Sequence, residues 1–433
     1  MRVLLLCLAT LLSAPAHAQG IVIRVPGSAD VPLAAPPAVA SGAGQSVATA
    51  MWDAMWLDLG MSGYFKLQDP KGYVERDKGV APDAFDFSSW DLVKTSVLVK
   101  TQVYGAGDTR CDSAGKRACV DVYVYYVASR QELSRKRFRG PASAGRHLGH
   151  AVANHVLGVV TGTPGVFGGR LAAVSSRGGN KEVFLLDSDG ESVQAVTRNG
   201  AINLSPAWSP KGDQIAWTSY KRSNPDLYIK DLRTGRTRTI SNVNGVNTSP
   251  AFTPDGGSLA LIRSTDGDSD IFVVDTRSGK ELRRLTTGGG IDVSPSYTAD
   301  GASVVFASER SGGSQVYRIP AAGGKAQRLT FTGDFNIDPV PSPDGTKIAF
   351  VGRSEGGFDI YVADSDGRQV VRLTQDMRDN EDPTWSPDSR YVVFSSTRTG
   401  RSELWISTAD GRHQTRITDS GGWTQPTWSP ASP

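Results

Sequence analysis

Cysteine is scarce in this chain, with three residues in 433, at positions 7, 111 and 119. Cys7 lies inside an N-terminal apolar run, which leaves Cys111 and Cys119 on either side of the polar stretch Asp112–Ala118. A C-x₇-C pair with no further cysteine or histidine beside it makes a poor metal site. In an oxidising compartment it is expected as a disulfide at a hairpin tip, with two free surface thiols as the alternative. Such a staple closes a short loop and adds modest stability. Histidine is also sparse, at five residues. His147, His150 and His155 share one helical stretch, but no HExxH arrangement accompanies them, so packing or capping is expected and no metal. Charge of one sign is lacking too. The net charge is +3 and no basic block is read, so charge supports neither nucleic acid nor a membrane surface as partner. The apolar run Val3–Leu12 is too short to span a bilayer.

What is present begins with a leader. Residues 1–18 combine Arg2, the run Val3–Leu12 and Ala16-His17-Ala18, the pattern of a cleaved secretory signal. The mature chain is expected to start at Gln19, exported and without a lipid anchor, because Cys7 does not stand at the cut.

From there to about residue 160 the pattern is mixed. Ile21–Val25 reads as a strand and Pro32–Pro37 as an irregular extended linker. Ser46–Leu59 has helical spacing in Val47, Met51, Met55 and Leu59, with Ser46 as a candidate N-cap. Its Met and Trp residues are expected in a core. Val97–Tyr104 and Val120–Ala128 read as strands and Arg146–Val160 as a second helix. The order β, α, β, β, α predicts a small α+β domain over residues 19–160. The glycine-rich stretch Thr161–Gly169 is expected as the linker.

The remainder repeats. SPAWSPKGDQIAW from Ser205 returns as SPAFTPDGGSLAL, SPSYTADGASVVF, DPVPSPDGTKIAF and DPTWSPDSRYVVF, and a truncated copy, QPTWSP, follows near the C-terminus. The first prolines fall at 206, 250, 295, 339, 383 and 426, and Phe184, Tyr228, Phe272, Tyr317, Tyr361 and Trp405 keep the same period. Each unit reads as four short strands punctuated by Pro-Asp-Gly turns, the grammar of a β-propeller blade. Residues 170–198 supply strands two to four of a blade that has no first strand, and residues 424–429 supply a first strand with no successors. Joining them predicts a mainly β, six-bladed propeller over residues 170–433, closed by its C-terminal strand.

In such a blade the loop entering the first strand and the loop leaving the second lie on one face. The entering positions are Asn203, Asn247, Asp292, Asn336 and Asn380. The leaving positions supply Arg177, Arg222, Arg263, Arg310, Arg353 and Arg398, one per blade. One mouth is therefore expected to carry an arginine ring suited to a partner's carboxylates and carbonyls. The alternatives are that these arginines tie neighbouring blades through Asp338, Asp382 and Glu309, and that the asparagines cap turns. Asp255, Asp300, Asp344 and Asp388 read as turn formers on the opposite face. Asp338, Glu381 and Asp382 could converge near the axis with carbonyl oxygens around a cation, a weak signal because hard-cation sites need six or more oxygens and these are three side chains.

The chain resembles the TolB family. Asp58–Phe65 (DLGMSGYF) is similar to that family's D-L-x-x-S-G-x-F helix end. His147–Ser175 is similar to its junction, a helix with His and Ala running into T-G-x-x-G-x-F and then R-x-A-x-V-S. The blades are shared with many exported propellers. Ser89–Ser96 (SWDLVKTS) departs from the family, which has glycine, alanine and aspartate after the tryptophan. The resemblance implies a non-catalytic, monomeric periplasmic protein without a cofactor, touching membranes only through its partners. It implies Pal, an outer-membrane lipoprotein, at the propeller mouth, and TolA at the mature N-terminus, here Gln19, Gly20, Ile21, Val22, Ile23 and Arg24 within a segment running to about Asp30. The alternative is a metal-dependent propeller hydrolase or lactonase, or a sugar-binding lectin, working at the channel.

Overall fold

The computed structural model describes residues 30–430 apart from 41, 77, 113, 266, 267, 289 and 377. The leader, the strand expected at Ile21–Val25 and the segment Gln19–Arg24 lie outside the described residues.

The N-terminal body is one sheet with helices on both faces. Strand β1 (Val31–Ala34) lies parallel to β3 (Phe65–Leu67) and to β4 (Val97–Tyr104), and β2 (Val39–Ala40) pairs parallel with the far end of β4. Antiparallel β5 (Arg117–Tyr126) and β6 (Gln131–Pro141) complete the order β3-β1-β4-β5-β6. Helices α1 (Gln45–Met61) and α3 (Gly145–Thr161) cover one face over Val97, Val99, Val120 and Val122. The short α2 (Phe87–Leu92) covers the other face with Trp90, Phe85 and Tyr125. Pro32–Ala34, read as linker, is strand: Leu33 and Ala34 are fully buried in different core clusters and hold it in the sheet despite the proline. Ser46 is not an N-cap. Gly44 precedes the helix without a side-chain cap, where a Cβ would press within 3.1 Å of the Gly105 amide. The two long helices nearly touch because Gly149 has no side chain, and a Cβ there would fall 2.3 Å from the Met51 carbonyl.

Six four-stranded antiparallel sheets follow. The first strands are Asn203–Trp208, Asn247–Phe252, Asp292–Tyr297, Asn336–Pro341, Asn380–Trp385 and Trp423–Trp428. The last of these pairs with Arg170–Ser175, in register Trp428↔Leu171, so the C-terminal strand completes the first blade as its repeat phase predicts. Each first strand carries one bulge, at its third residue. Those residues are Ser205, Ser249, Ser294, Asp338, Asp382 and Gln425, all left-handed with φ between 49° and 56°. Neighbouring blades are stitched by indole donors: Trp208 Nε1 reaches the Thr427 carbonyl at 3.1 Å and Trp385 Nε1 the Val340 carbonyl at 2.9 Å.

Body and ring share one continuous core. Val152, Val156 and Phe167 pack with Leu171, Tyr391, Trp423 and Trp428. At the seam, His150 Nδ1 lies 2.7 Å from the Asp58 carboxylate, its Nε2 lies 3.9 Å from Asp189 of the ring, and Arg146 pairs with Asp189. His150 thus packs and pairs. Asp58, His150 and Asp189 are near enough to share an ion, but the Arg146 guanidinium already occupies the ring side of the cluster.

Candidate binding mouth

The entering and leaving loops do share a face, and backbone hydrogen bonds join them in every blade. Tyr220 donates to the Ile202 carbonyl, Ser264 to Val246, Glu309 to Ile291, Arg353 to Phe335, Thr397 to Asp379 and Ser176 to Gly422. These bonds set which side chains can face outward.

The five entering residues do not face outward. Asn203, Asn247, Asp292, Asn336 and Asn380 are buried. Asn247 Nδ2 donates to the Val243 and Gly245 carbonyls at 2.6 and 3.2 Å. Asn203 caps the Ala201 carbonyl, Asn336 that of Thr332 and Asn380 that of Arg378, at 2.9, 2.9 and 3.0 Å. The reading of these residues as partner contacts is corrected accordingly. The loop would leave its carbonyls unpaired without the four asparagines, so they are internal caps, while Asp292 accepts from Arg310.

The arginines divide. Arg263 is buried, paired with Glu281 at 2.7 Å and bonded to Ser241. Arg310 grips Asp292 at 2.8 Å, and Arg398 holds Asp376 at 2.9 Å and Asn380 at 2.8 Å. All three are held within the protein, Arg263 tying its blade to Ser241 of the preceding one, through partners other than the expected Asp338, Asp382 and Glu309. Arg177, Arg222 and Arg353 are exposed. Arg353 stacks on Phe335 at 4.6 Å with a loose 3.9 Å approach to Asp334, and Arg177 lies 6.0 Å over Trp423. Neither Arg177 nor Arg222 makes an ion pair among the described residues.

Apolar side chains, missed in the sequence, lie between them. Ile202, Val246 and Ile291, each the residue before the buried Asn or Asp, are 46%, 36% and 42% exposed, and Phe331 is 74% exposed. The signal was there to find: an aliphatic residue immediately before the repeat's Asn or Asp, where a soluble loop has no use for it.

Below the mouth the channel holds a cavity of about 550 Å³, lined from the bulge residues and the prolines that follow them to Pro210, Pro254 and Pro343 in the turns of the opposite face. Asp338 accepts a hydrogen bond from Ser294, and Asp382 accepts from Ser395 Oγ at 2.8 Å and from the Gln425 amide at 3.0 Å. Burial, then repulsion from Asp382, pushes Asp338 up to about 6, and burial with the same neighbour pushes Glu381 up to about 7. Burial raises Asp382 as well. On the far face, Asp255, Asp300, Asp344 and Asp388 each accept from an amide two residues on, so they form turns. Cys111 and Cys119 are joined in a disulfide with Cα atoms 5.5 Å apart, remote from the mouth.

A closed six-bladed propeller with a buried-seam α+β body on one side defines the class: a two-part propeller protein offering an open mouth. Residues 158–432 match the model of the TolB beta propeller domain and residues 19–124 that of the TolB amino-terminal domain, and the chain belongs to the TolB family. It is 37% identical to the Tol-Pal system protein TolB of Syntrophotalea carbinolica over 221 residues, 49% of this chain and 47% of that one. It is 36% identical to the Tol-Pal system protein TolB of Geobacter sulfurreducens over 158 residues, 36% of this chain and 34% of that one. The chain thus spans about half or less of the length of the curated relatives it matches. The crystal structure of TolB from Acinetobacter baumannii superposes with a TM-score of 0.80 at 29% identity, covering 93% of this chain and 97% of that one.

Proposed function

We propose that the chain is a non-catalytic periplasmic scaffold of the Tol-Pal system. Its mouth holds the Pal lipoprotein and residues 19–24 hold TolA, and the bridge between them supports outer-membrane integrity and invagination at division. The observation that carries this reading is the outward-facing alternation of Ile202, Val246 and Ile291 with the exposed Arg177 and Arg222. Exposed aliphatics on the entering loops of three consecutive blades lose nothing by facing a protein and are poorly placed facing water. Purified Pal captured on a sensor tests it. Ile202→Asp with Ile291→Asp is expected to weaken capture at least tenfold, and Arg222→Glu several-fold, with thermal midpoints unchanged. Deleting residues 19–24 is expected to abolish TolA capture and leave Pal capture intact. Undiminished Pal binding by the double variant would overturn the mouth assignment. Chelator-sensitive hydrolysis lost in Asp382→Ala would overturn the scaffold reading in favour of a channel enzyme.

A further inference from the structure

The outer edge of the N-terminal sheet is a second candidate surface, on the part of the molecule the mouth does not involve. Strand β6 pairs with β5 alone, and no described strand occupies its other side. Eleven residues of backbone are thus left with one edge open, which proteins ordinarily keep short or cover. The strand reads Gln-Glu-Leu-Ser-Arg-Lys-Arg-Phe-Arg-Gly-Pro, so four of the five residues from Arg135 to Arg139 are basic. This is a basic block where the charge reading saw none. Residues 105–141 hold eight basic and four acidic side chains, an excess larger than the +3 of the whole chain.

Register sorts these charges. Val120, Val122 and Phe138 face α1 and α3, so Arg135, Arg137 and Arg139, opposite Tyr123, Asp121 and Cys119, form a row on the other face. The row is pre-ordered on tyrosines: Arg135 lies 4.7 Å over Tyr123, and Arg137 and Arg110 lie 5.2 and 4.6 Å over Tyr104. Asp121, Glu132 and Asp108 answer Arg137, Arg135 and Arg110. Lys116, Arg117 and Arg139 are exposed and make no ion pair within 4.0 Å among the described residues, with Asp112 the carboxylate beside Arg117. All three line a depression of about 450 Å³ beside Cys111, where they outnumber its one carboxylate, Asp112. The disulfide to Cys119 ties the loop carrying Lys116 and Arg117 to the strand beneath Arg139.

We infer that β6 is a docking edge for an extended segment of a protein partner with acidic side chains at alternate positions, added as a further strand. Backbone pairing along the edge supplies affinity, and the arginine row with the Arg117–Arg139 depression selects carboxylates. The same positive row repels β6 of a second copy, so the edge is closed to self-association and open to acids.

The test uses the full mature chain and an eleven-residue peptide alternating glutamate with threonine and valine. Its controls are the lysine counterpart, the glutamate peptide N-methylated at alternate amides, and vesicles rich in anionic phospholipid. Expected are saturable binding of the glutamate peptide alone, weakened at least tenfold by Arg117→Glu with Arg139→Glu at an unchanged thermal midpoint. Pal capture by that variant should be unaltered, which separates this edge from the mouth. Equal binding of the N-methylated peptide, indifference to the double variant, or preference for the vesicles would each overturn the inference.

Discussion

Asn247 sits where an exposed contact was expected and instead holds the carbonyls of Val243 and Gly245. Replacing it with alanine leaves both acceptors and Ser241 without their partner in a buried loop. Asn247→Ala is therefore expected to cost on the order of 2 kcal/mol in denaturant unfolding. Asp338 makes the opposite case. Its pKa is raised, from 3.8 to about 6, so its contribution to stability is fully present below pH ~4 and is lost as pH rises through 6. Above that pH the fold carries a buried carboxylate beside Asp382. Asp338→Asn is expected to gain on the order of 1–3 kcal/mol at pH 7.5 and almost nothing at pH 4, measured by unfolding at both. A gain of equal size at both pH values would contradict the assignment. Nothing in the motif Asn-x-Asp-Pro separates a cap from a contact, because burial depends on the neighbouring loop, which the repeat does not encode.

At the scale of elements, the seam between α1, α3 and the ring rests on one titrating cluster. His150 faces Asp58 on α1, Arg146 on its own helix, and Asp187 and Asp189 from the ring. Burial works against its charged form, but the Asp58 hydrogen bond and the surrounding carboxylates outweigh it, and the net shift is upward. Burial likewise lifts Asp58 to about 6 despite His150. Both raised groups favour folding at low pH. Asp58's share fades as pH climbs from about 4 to 6, and that of His150 is lost above 6.5. His150→Gln is therefore expected to lower the thermal midpoint at pH 6 by several degrees and to close most of that gap by pH 8.5. A gap independent of pH would show that His150 only fills space. Sequence reading found α1 through the apolar positions Val47, Met51, Met55 and Leu59 and α3 as Arg146–Val160, but not β3, α2 or β6. Strand β3 is three residues long and α2 six, too brief for a period to show, and the basic residues of β6 mask its alternation. The seam was illegible for a different reason: Asp58 and Asp189 are 131 positions apart, and no local pattern joins them.

Across the whole molecule the ring was readable because its unit recurs with one period and its phase breaks once. A first strand without successors at one end and three strands without a first at the other admit one join, and Trp423–Trp428 on Arg170–Ser175 makes it. That join bears more than one blade. Trp208 of the next blade donates to the Thr427 carbonyl, Ser205 N to Gln425 Oε1 at 2.8 Å, and Gln425 N to Asp382 on the other side. Trp423 and Trp428 also belong to the core shared with α3 and Phe167. Removing residues 424–433 therefore opens an edge on Arg170–Ser175, strips both flanking blades of a stitch and exposes the body's contact with the ring. Because these losses are coupled, the truncated chain is expected to lose more than 5 kcal/mol, enough to unfold a domain of ordinary stability, and to be recovered mainly as aggregate. Trp428→Ala alone should cost about 3–5 kcal/mol with the ring still closed. A truncated chain that melts at the wild-type midpoint would show that the strand is an ornament on a ring closed by other means.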